Sequence, residues 1–250
     1  MCSLFSTVNS DIKKYLIQIK ERLEVLKNID IYKEDIERKL EEIRKEISKE
    51  MRVLSQKRME KKGDFEKKII DELKDLGMEK ADFEVKIKKI PFDFPENMPE
   101  KGDENIEFYF SAHKSEDKKP LNKIASGGEL SRIMLAIKNV IPKEKKRTFI
   151  FDEVDSGVGG LTAEMIGRKL KDISKRHQVL CITHLPQVAV FADNHITVEK
   201  KEINGRINVV IKPVKGEDRI AEITRMLGGD IKSKGRDYAL ELLKKGESID

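Results

Sequence analysis

The 250-residue chain reads as an α/β fold carried behind a long N-terminal coiled-coil arm. Three observations predict this. Apolar residues in the first third recur at spacings of four and three, the seam of a coiled coil. No proline occurs before Pro91, so nothing there interrupts a long helix. Beyond Leu121, short apolar runs alternate with amphipathic helical stretches, the pattern of strands and covering helices.

The arm is assigned to residues 11–78, with 1–10 unplaced. Its seam begins with Ile12, Leu16, Ile19, Leu23 and Leu26. After a slip between Asn28 and Ile31 it resumes at Ile36, Leu40, Ile43, Ile47, Met51 and Leu54. Gly63-Asp64 is a candidate break. A last stripe, Phe65, Ile69, Leu73 and Leu76, runs to Gly77, a helix stop. A stripe this narrow needs a second helix to cover it. No comparable second arm occurs in the sequence, so the partner is either a separate arm or a second copy of this one.

Residues 79–250 form the second part. Phe83–Lys88 and Ile106–Phe110 alternate as strands do, followed by a polar loop from Ser111 to Lys119. Leu130, Ile133, Met134, Ile137 and Ile141 mark a helix ending near Pro142. Thr148–Phe151 and Val179–Ile182 are short, wholly apolar runs that predict buried parallel strands. Between them, Leu161–Lys175 is a helix with Met165, Ile166, Leu170 and Ile173 inward. His195–Glu199 and Ile207–Lys212 flank Asn204-Gly205 and predict a hairpin. Two helices follow, near Arg219–Leu227 and Lys234–Lys245.

Charged residues make up 39% of the chain, yet the net charge is only +5. That excess permits nucleic-acid contact without arguing for it. Two cysteines make no disulfide framework, and a reducing cytoplasm is expected. Cys181, in an apolar run, is expected to be a small buried hydrophobe. No apolar run approaches the roughly 20 residues that span a bilayer, so no membrane is implied.

Three clusters carry chemistry. The run Thr148–Phe151 delivers Asp152 and Glu153 at a strand's carboxyl end, where α/β sheets bind ligands. Asp152 suits Mg²⁺, a hard cation that takes carboxylate oxygen. Glu153 can orient and deprotonate an attacking water. Ser126-Gly127-Gly128-Glu129 runs directly into a helix start, whose unpaired N–H groups favour an anion. Its glycines admit a phosphate close to the backbone, and Ser126 adds a hydroxyl. His184 follows the second apolar run and can donate a hydrogen bond to a terminal phosphate. Each cluster alone also fits an ordinary acidic loop, capped turn or structural histidine; their order and spacing distinguish them.

In that order the clusters resemble the C-terminal lobe of an ABC/P-loop NTPase head, and more narrowly the RecN family of bacterial SMC-like ATPases. Ala125–Ala136 resembles that family's signature segment. Phe151–Gly157 resembles its Walker B and D-loop, Thr183–Ala189 its switch-histidine segment, and Ala221–Gly229 its terminal segment. Leu54–Arg58 and Leu76–Met78 resemble the end of its returning arm. The likeness covers roughly residues 50–245. It implies an ATP- and Mg²⁺-dependent head that acts in DNA double-strand break repair in the cytoplasm, at the nucleoid. Asp152 would serve Mg²⁺, Glu153 would be the hydrolytic base, and His184 would touch the γ-phosphate. Asp155 would communicate across a head-to-head homodimer. Ser126, Gly127, Gly128 and Glu129 would meet ATP bound by the opposite head.

One departure is large. The phosphate loop G-x-x-x-x-G-K-[ST] is absent, since no Gly-Lys dipeptide occurs anywhere. The expectation is a site completed by a separate Walker A lobe and outgoing arm, with little ATP affinity in the chain alone. His113-Lys114-Ser115 also departs from the Asn/Gly turn expected after the strand at 106–110. The alternatives are a non-enzymatic coiled-coil module and another SMC or ABC head. DNA contact is implied by family alone.

Overall fold

A computed structural model describes residues 2–124, 126–141, 145–203, 206–229 and 234–248, with the side chains of 2–11, 30 and 203 outside the description. Ala125, Pro142 and the Asn204-Gly205 turn lie outside the described residues. The elements are α1 (Cys2–Asp75), β1 (Asp82–Lys89), β2 (Glu104–Ser111), β3 (Lys119–Pro120), a 3₁₀ turn (Leu121–Lys123), α2 (Gly127–Val140), β4 (Thr148–Phe151), α3 (Gly160–Ser174), β5 (Gln178–Cys181), α4 (Pro186–Ala189), β6 (His195–Ile203), β7 (Arg206–Val214), α5 (Gly216–Met226) and α6 (Lys234–Glu247). The chain falls into two compact units, Met1–Met59 with Lys89–Glu104, and Glu60–Lys88 with Asn105–Asp250.

In the first unit the seam has no cover. Ile12, Leu16, Ile19, Leu23 and Leu26 are all about half exposed, at 49–56%. The segment after β1 is fastened to the helix by one buried carboxylate. Glu104 accepts hydrogen bonds from Ser55 Oγ and from Arg58 Nη1 (3.1 Å), and Arg58 Nη2 donates to the Lys101 carbonyl at 2.7 Å.

In the second unit α1 ends as the sequence predicts. Ile69, Leu73 and Leu76 are fully buried. Met78 N–H donates to the Leu73 carbonyl (2.9 Å) and Gly77 N–H to that of Lys74 (3.0 Å), closing a Schellman cap on a glycine at φ 76°. The expected break at Gly63-Asp64 does not form, and α1 runs straight through it. A helical glycine costs only about 1 kcal/mol relative to alanine. Good helix formers flank this one, and an Asp64–Lys68 pair at 2.8 Å spans the next turn.

β1, β2 and β3 form one sheet in that order. β3, at the end of what reads as a polar loop, pairs with β2 antiparallel, with Tyr109 opposite Pro120 and Phe110 opposite Lys119. In the same loop His113 forms a tight turn, its Nδ1 2.7 Å from Ser115 Oγ and its carbonyl accepting from Glu116 N–H at 2.9 Å. Phe65, Phe83 and Phe108 cluster between helix and sheet, with ring centroids 5.5–6.3 Å apart. α2 buries Ile133, Leu135, Ala136 and Ile137, whereas Met134 is exposed. Ile133 and Ile137 lie inside as the stripe predicts, and the buried face also takes in Gly128, Arg132, Leu135 and Ala136.

β4 and β5 pair in parallel, Phe151 level with Cys181. These strands are not buried on both faces as their composition suggests. Phe151 is inside, but Ile150 is 71% exposed and Leu180 and Ile182 are also open. Among the described residues two strands make this sheet, and one face lacks the covering layer that parallel sheets require. β6 and β7 form the predicted hairpin, Ile203 opposite Arg206. Ile196, Val198, Ile207, Val209 and Ile211 are exposed along it. A second core joins Val190, Phe191, Ile223, Ala239 and Leu242. No helix among the described residues is long and apolar enough to cross a membrane.

Gly77 is required twice over: for its φ, and because an added Cβ would meet Thr162 Cγ2 at 2.7 Å. Gly77→Ala should destabilise the chain by about 1–2 kcal/mol from the left-handed backbone alone, read as a lower denaturation midpoint. Adding Thr162→Ala should recover only the steric share.

Candidate functional site

The candidate site lies at the carboxyl ends of β4 and β5. The chain leaves β4 through Asp152 and Glu153, both exposed, and turns back inward at Val154 and Asp155, both buried. Glu153 holds the left-handed conformation at φ 55°, the only such non-glycine residue described. This conformation costs of order 1–3 kcal/mol, and it persists where surrounding contacts fix it.

Those contacts come from the start of α2. Ser126 caps the helix, its Oγ accepting from Glu129 N–H at 3.4 Å. Ser131 Oγ donates to the Asp152 carbonyl at 2.7 Å. Arg132, 9% exposed, donates through Nη1 to the carbonyls of Ser156 (2.8 Å) and Val154 (3.5 Å). Burial draws this guanidinium's pKa below its ordinary value, with Glu129 opposing. The two glycines set the approach. A Cβ on Gly127 would meet Glu153 Oε2 at 2.8 Å, and one on Gly128 would meet Ser156 Cβ at 3.0 Å and the Glu153 carbonyl at 3.1 Å. The glycine turn thus rests directly on the acidic turn of the same chain.

The histidine joins from β5. Asp155, 2% exposed, accepts a short hydrogen bond from Thr183 Oγ1. Thr183 Oγ1 in turn accepts from Leu185 N–H at 3.0 Å. His184 Nδ1 lies 3.6 Å from Asp155 Oδ2, and its side chain is 76% exposed. The contacts therefore bring Gly127 and Gly128 against residues 153 and 156, and Asp155 against Thr183 and His184; Ser126 and Glu129 lie on the same helix start, and Asp152 leads into the same turn. Ser131, Arg132 and Thr183 had no role assigned to them. For Arg132 the signal was available, a cation four residues after Gly128 on an otherwise apolar helix face.

Among the described residues no group of three or more His, Cys, Asp or Glu side chains could encircle a metal. A cation at Asp152 would take most of its ligands from phosphate and water, which is how Mg²⁺ is commonly held. Cys181 is half-buried rather than buried. Burial, then the charges of Asp155 and Asp152, push its thiol pKa up to about 12.

Adjacent carboxylates and a histidine thus stand at the edge of a parallel strand pair, with a glycine-led helix start packed on the turn after β4. Comparison with known proteins narrows this. The chain is 39% identical over 245 residues to the DNA repair protein RecN of Halalkalibacterium halodurans, covering 95% of this chain and 42% of that protein. It is 36% identical to RecN of Bacillus subtilis, covering 96% of this chain and 44% of that protein. For RecN of Treponema pallidum the identity is 35%, over 95% and 42%. In sequence the chain belongs to the RecN family, and it spans somewhat under half the length of these relatives. No protein-family model matches it. Among solved structures, an Smc head domain with an extended coiled coil from Pyrococcus furiosus is similar at 18% identity and a TM-score of 0.39, over 66% of this chain and 37% of that one.

Arg132→Leu should cost about 1–3 kcal/mol by leaving the buried Val154 carbonyl and the part-buried Ser156 carbonyl without their donor, and should speed amide exchange at 153–156. In a Cys2→Ser background, Cys181 should alkylate roughly a thousandfold more slowly at pH 8 than an ordinary thiol, which ionises near 8.5. Because folding raises this pKa from 9.0 to about 12, the folded chain keeps a proton that the unfolded chain loses, so stability should fall as pH rises through that window.

Proposed function

We propose that this chain is the C-terminal part of an SMC-like ATPase that acts in DNA double-strand break repair and recombination, and that it hydrolyses ATP only when joined to a lobe bearing a Walker A loop. The supporting observation is the meeting of the 127–128 turn, the 152–153 carboxylates and the 183–184 segment at one sheet edge. In this reading residues 11–78 are the arm, 79–250 the lobe, and 1–10 unassigned. ATP brings the triphosphate and Mg²⁺ the charge neutralisation that phosphoryl transfer needs. Asp152 holds Mg²⁺, Glu153 takes the proton of the attacking water, and His184 contacts the terminal phosphate. Ser126, Gly127, Gly128 and Glu129 face nucleotide held by an opposing head, so two heads close across ATP.

The open face of β4–β5 supports the missing lobe as partner. Parallel strands need both faces covered, and Ile150, Leu180 and Ile182 are bare on one. The matched relatives are long enough to hold such a lobe, since this chain covers 42–44% of them. The uncovered seam fits the outgoing arm of the same protein. Contact with DNA would run through lysine and arginine to phosphate, without base preference, and would weaken steeply with salt. The work is placed in the cytoplasm, at the nucleoid.

The bare seam also favours a second reading, a coiled-coil interaction module without chemistry. Reconstitution separates the two. The chain alone should show no ATP turnover. Mixed with the Walker A lobe of a RecN relative it should gain turnover, and Glu153→Gln should lower that by about 10²–10⁴-fold while ATP binding survives. Turnover by the isolated chain, or an unimpaired Glu153→Gln, would contradict the proposal; a complex that forms without turnover would favour the module.

A further inference from the structure

We propose that Asp155 is a positioning residue for His184 of its own chain, fixing which ring nitrogen carries the proton. This deepens the reading in which His184 faces a nucleotide.

The carboxylate of Asp155 is 2% exposed, three residues past Asp152, and it is anchored by the hydroxyl of Thr183, the residue just before His184. Val154 and Ser156, its chain neighbours, are held by Arg132 through their carbonyls. The carboxylate is thus locked from two sides, while the imidazole is free at its outer edge, 76% exposed. Of the two ring nitrogens, Nδ1 faces the carboxylate at 3.6 Å. That is beyond hydrogen-bond length but close enough for charge to decide. A bare Nδ1 lone pair against a buried anion is repulsive, whereas Nδ1–H is attracted. The neutral ring therefore keeps its proton on Nδ1 and turns an unprotonated Nε2 outward, the logic by which a partner at one nitrogen sets the other.

This constrains the chemistry at the phosphate. Neutral His184 offers a lone pair at Nε2 and cannot donate there. To donate to a phosphate oxygen it must carry both protons, as an imidazolium between the Asp155 carboxylate and the phosphate.

The test is the tautomer. In the 250-residue chain with ¹⁵N-labelled histidine, at alkaline pH and without nucleotide, the His184 signals are those lost in His184→Gln. The expected spectrum shows Nδ1 protonated and Nε2 bare. Asp155→Asn should shift the ring toward Nε2–H, the form that free imidazole side chains prefer. Thr183→Val, which removes one anchor but keeps the Asp155 carboxylate itself, should retain Nδ1–H. A wild-type ring already in the Nε2–H form overturns the proposal whether or not either variant folds, as does a tautomer unchanged by Asp155→Asn. The readout needs no ATP. An Nδ1–H ring together with failed reconstitution sinks the ATPase reading alone, and restored turnover with an Nε2–H ring sinks this one alone.

Discussion

The guanidinium of Arg132, sunk between helix α2 and the turn after β4, is the contact on which the site's shape depends. Its two bonds to the carbonyls of Val154 and Ser156 hold the chain where it reverses inward. Ser131 does the same one step earlier, at the carbonyl of Asp152. With these donors in place, Glu153 can keep its left-handed backbone and Asp155 can stay buried. A buried carbonyl without a donor is costly, so the helix start and the acidic turn form one rigid piece. The glycine at 128 makes that close approach possible, since a Cβ there would press on Ser156 Cβ and the Glu153 carbonyl.

Two surfaces contrast with this closed network. One is the bare face of the parallel pair, with Ile150, Leu180 and Ile182; the hairpin's exposed aliphatics, from Ile196 to Ile211, extend the apolar surface of the same unit. The other, in the arm unit, is the seam from Ile12 to Leu54. They call for different cover. A parallel sheet face is satisfied by a packed layer, whereas a seam spaced by fours and threes is satisfied by one helix. The polar contacts at 126–132, 152–156 and 183–185 close within the chain, while apolar area stays open.

Much of this was visible in the chain of residues because the relevant forces are local. The stripe Ile69, Leu73 and Leu76 and the stop at Gly77 follow from helical period and from glycine's tolerance of positive φ. The hairpin register follows from a two-residue loop between alternating runs. The carboxylates and His184 were legible because each ends an apolar strand. Two local signals misled. Gly63 reads as a break, yet good helix formers on both sides carry α1 through it. Met134 fits the apolar stripe, yet the buried face of α2 runs through Arg132, Leu135 and Ala136 beside Ile133 and Ile137.

What the sequence by itself determined is the inventory and its order: an arm with one seam, a glycine turn, paired acids and a histidine, each tied to its element by periods of 3.6 or 2. What only the tertiary structure decided is who touches whom. Asp155 turned inward to Thr183 and His184 rather than outward, Arg132 became a latch, and Ile150 was left in the open. Those outcomes depend on pairs more than twenty residues apart in the chain, whose meeting is set by how helices and strands stack, and no local pattern of side chains encodes that.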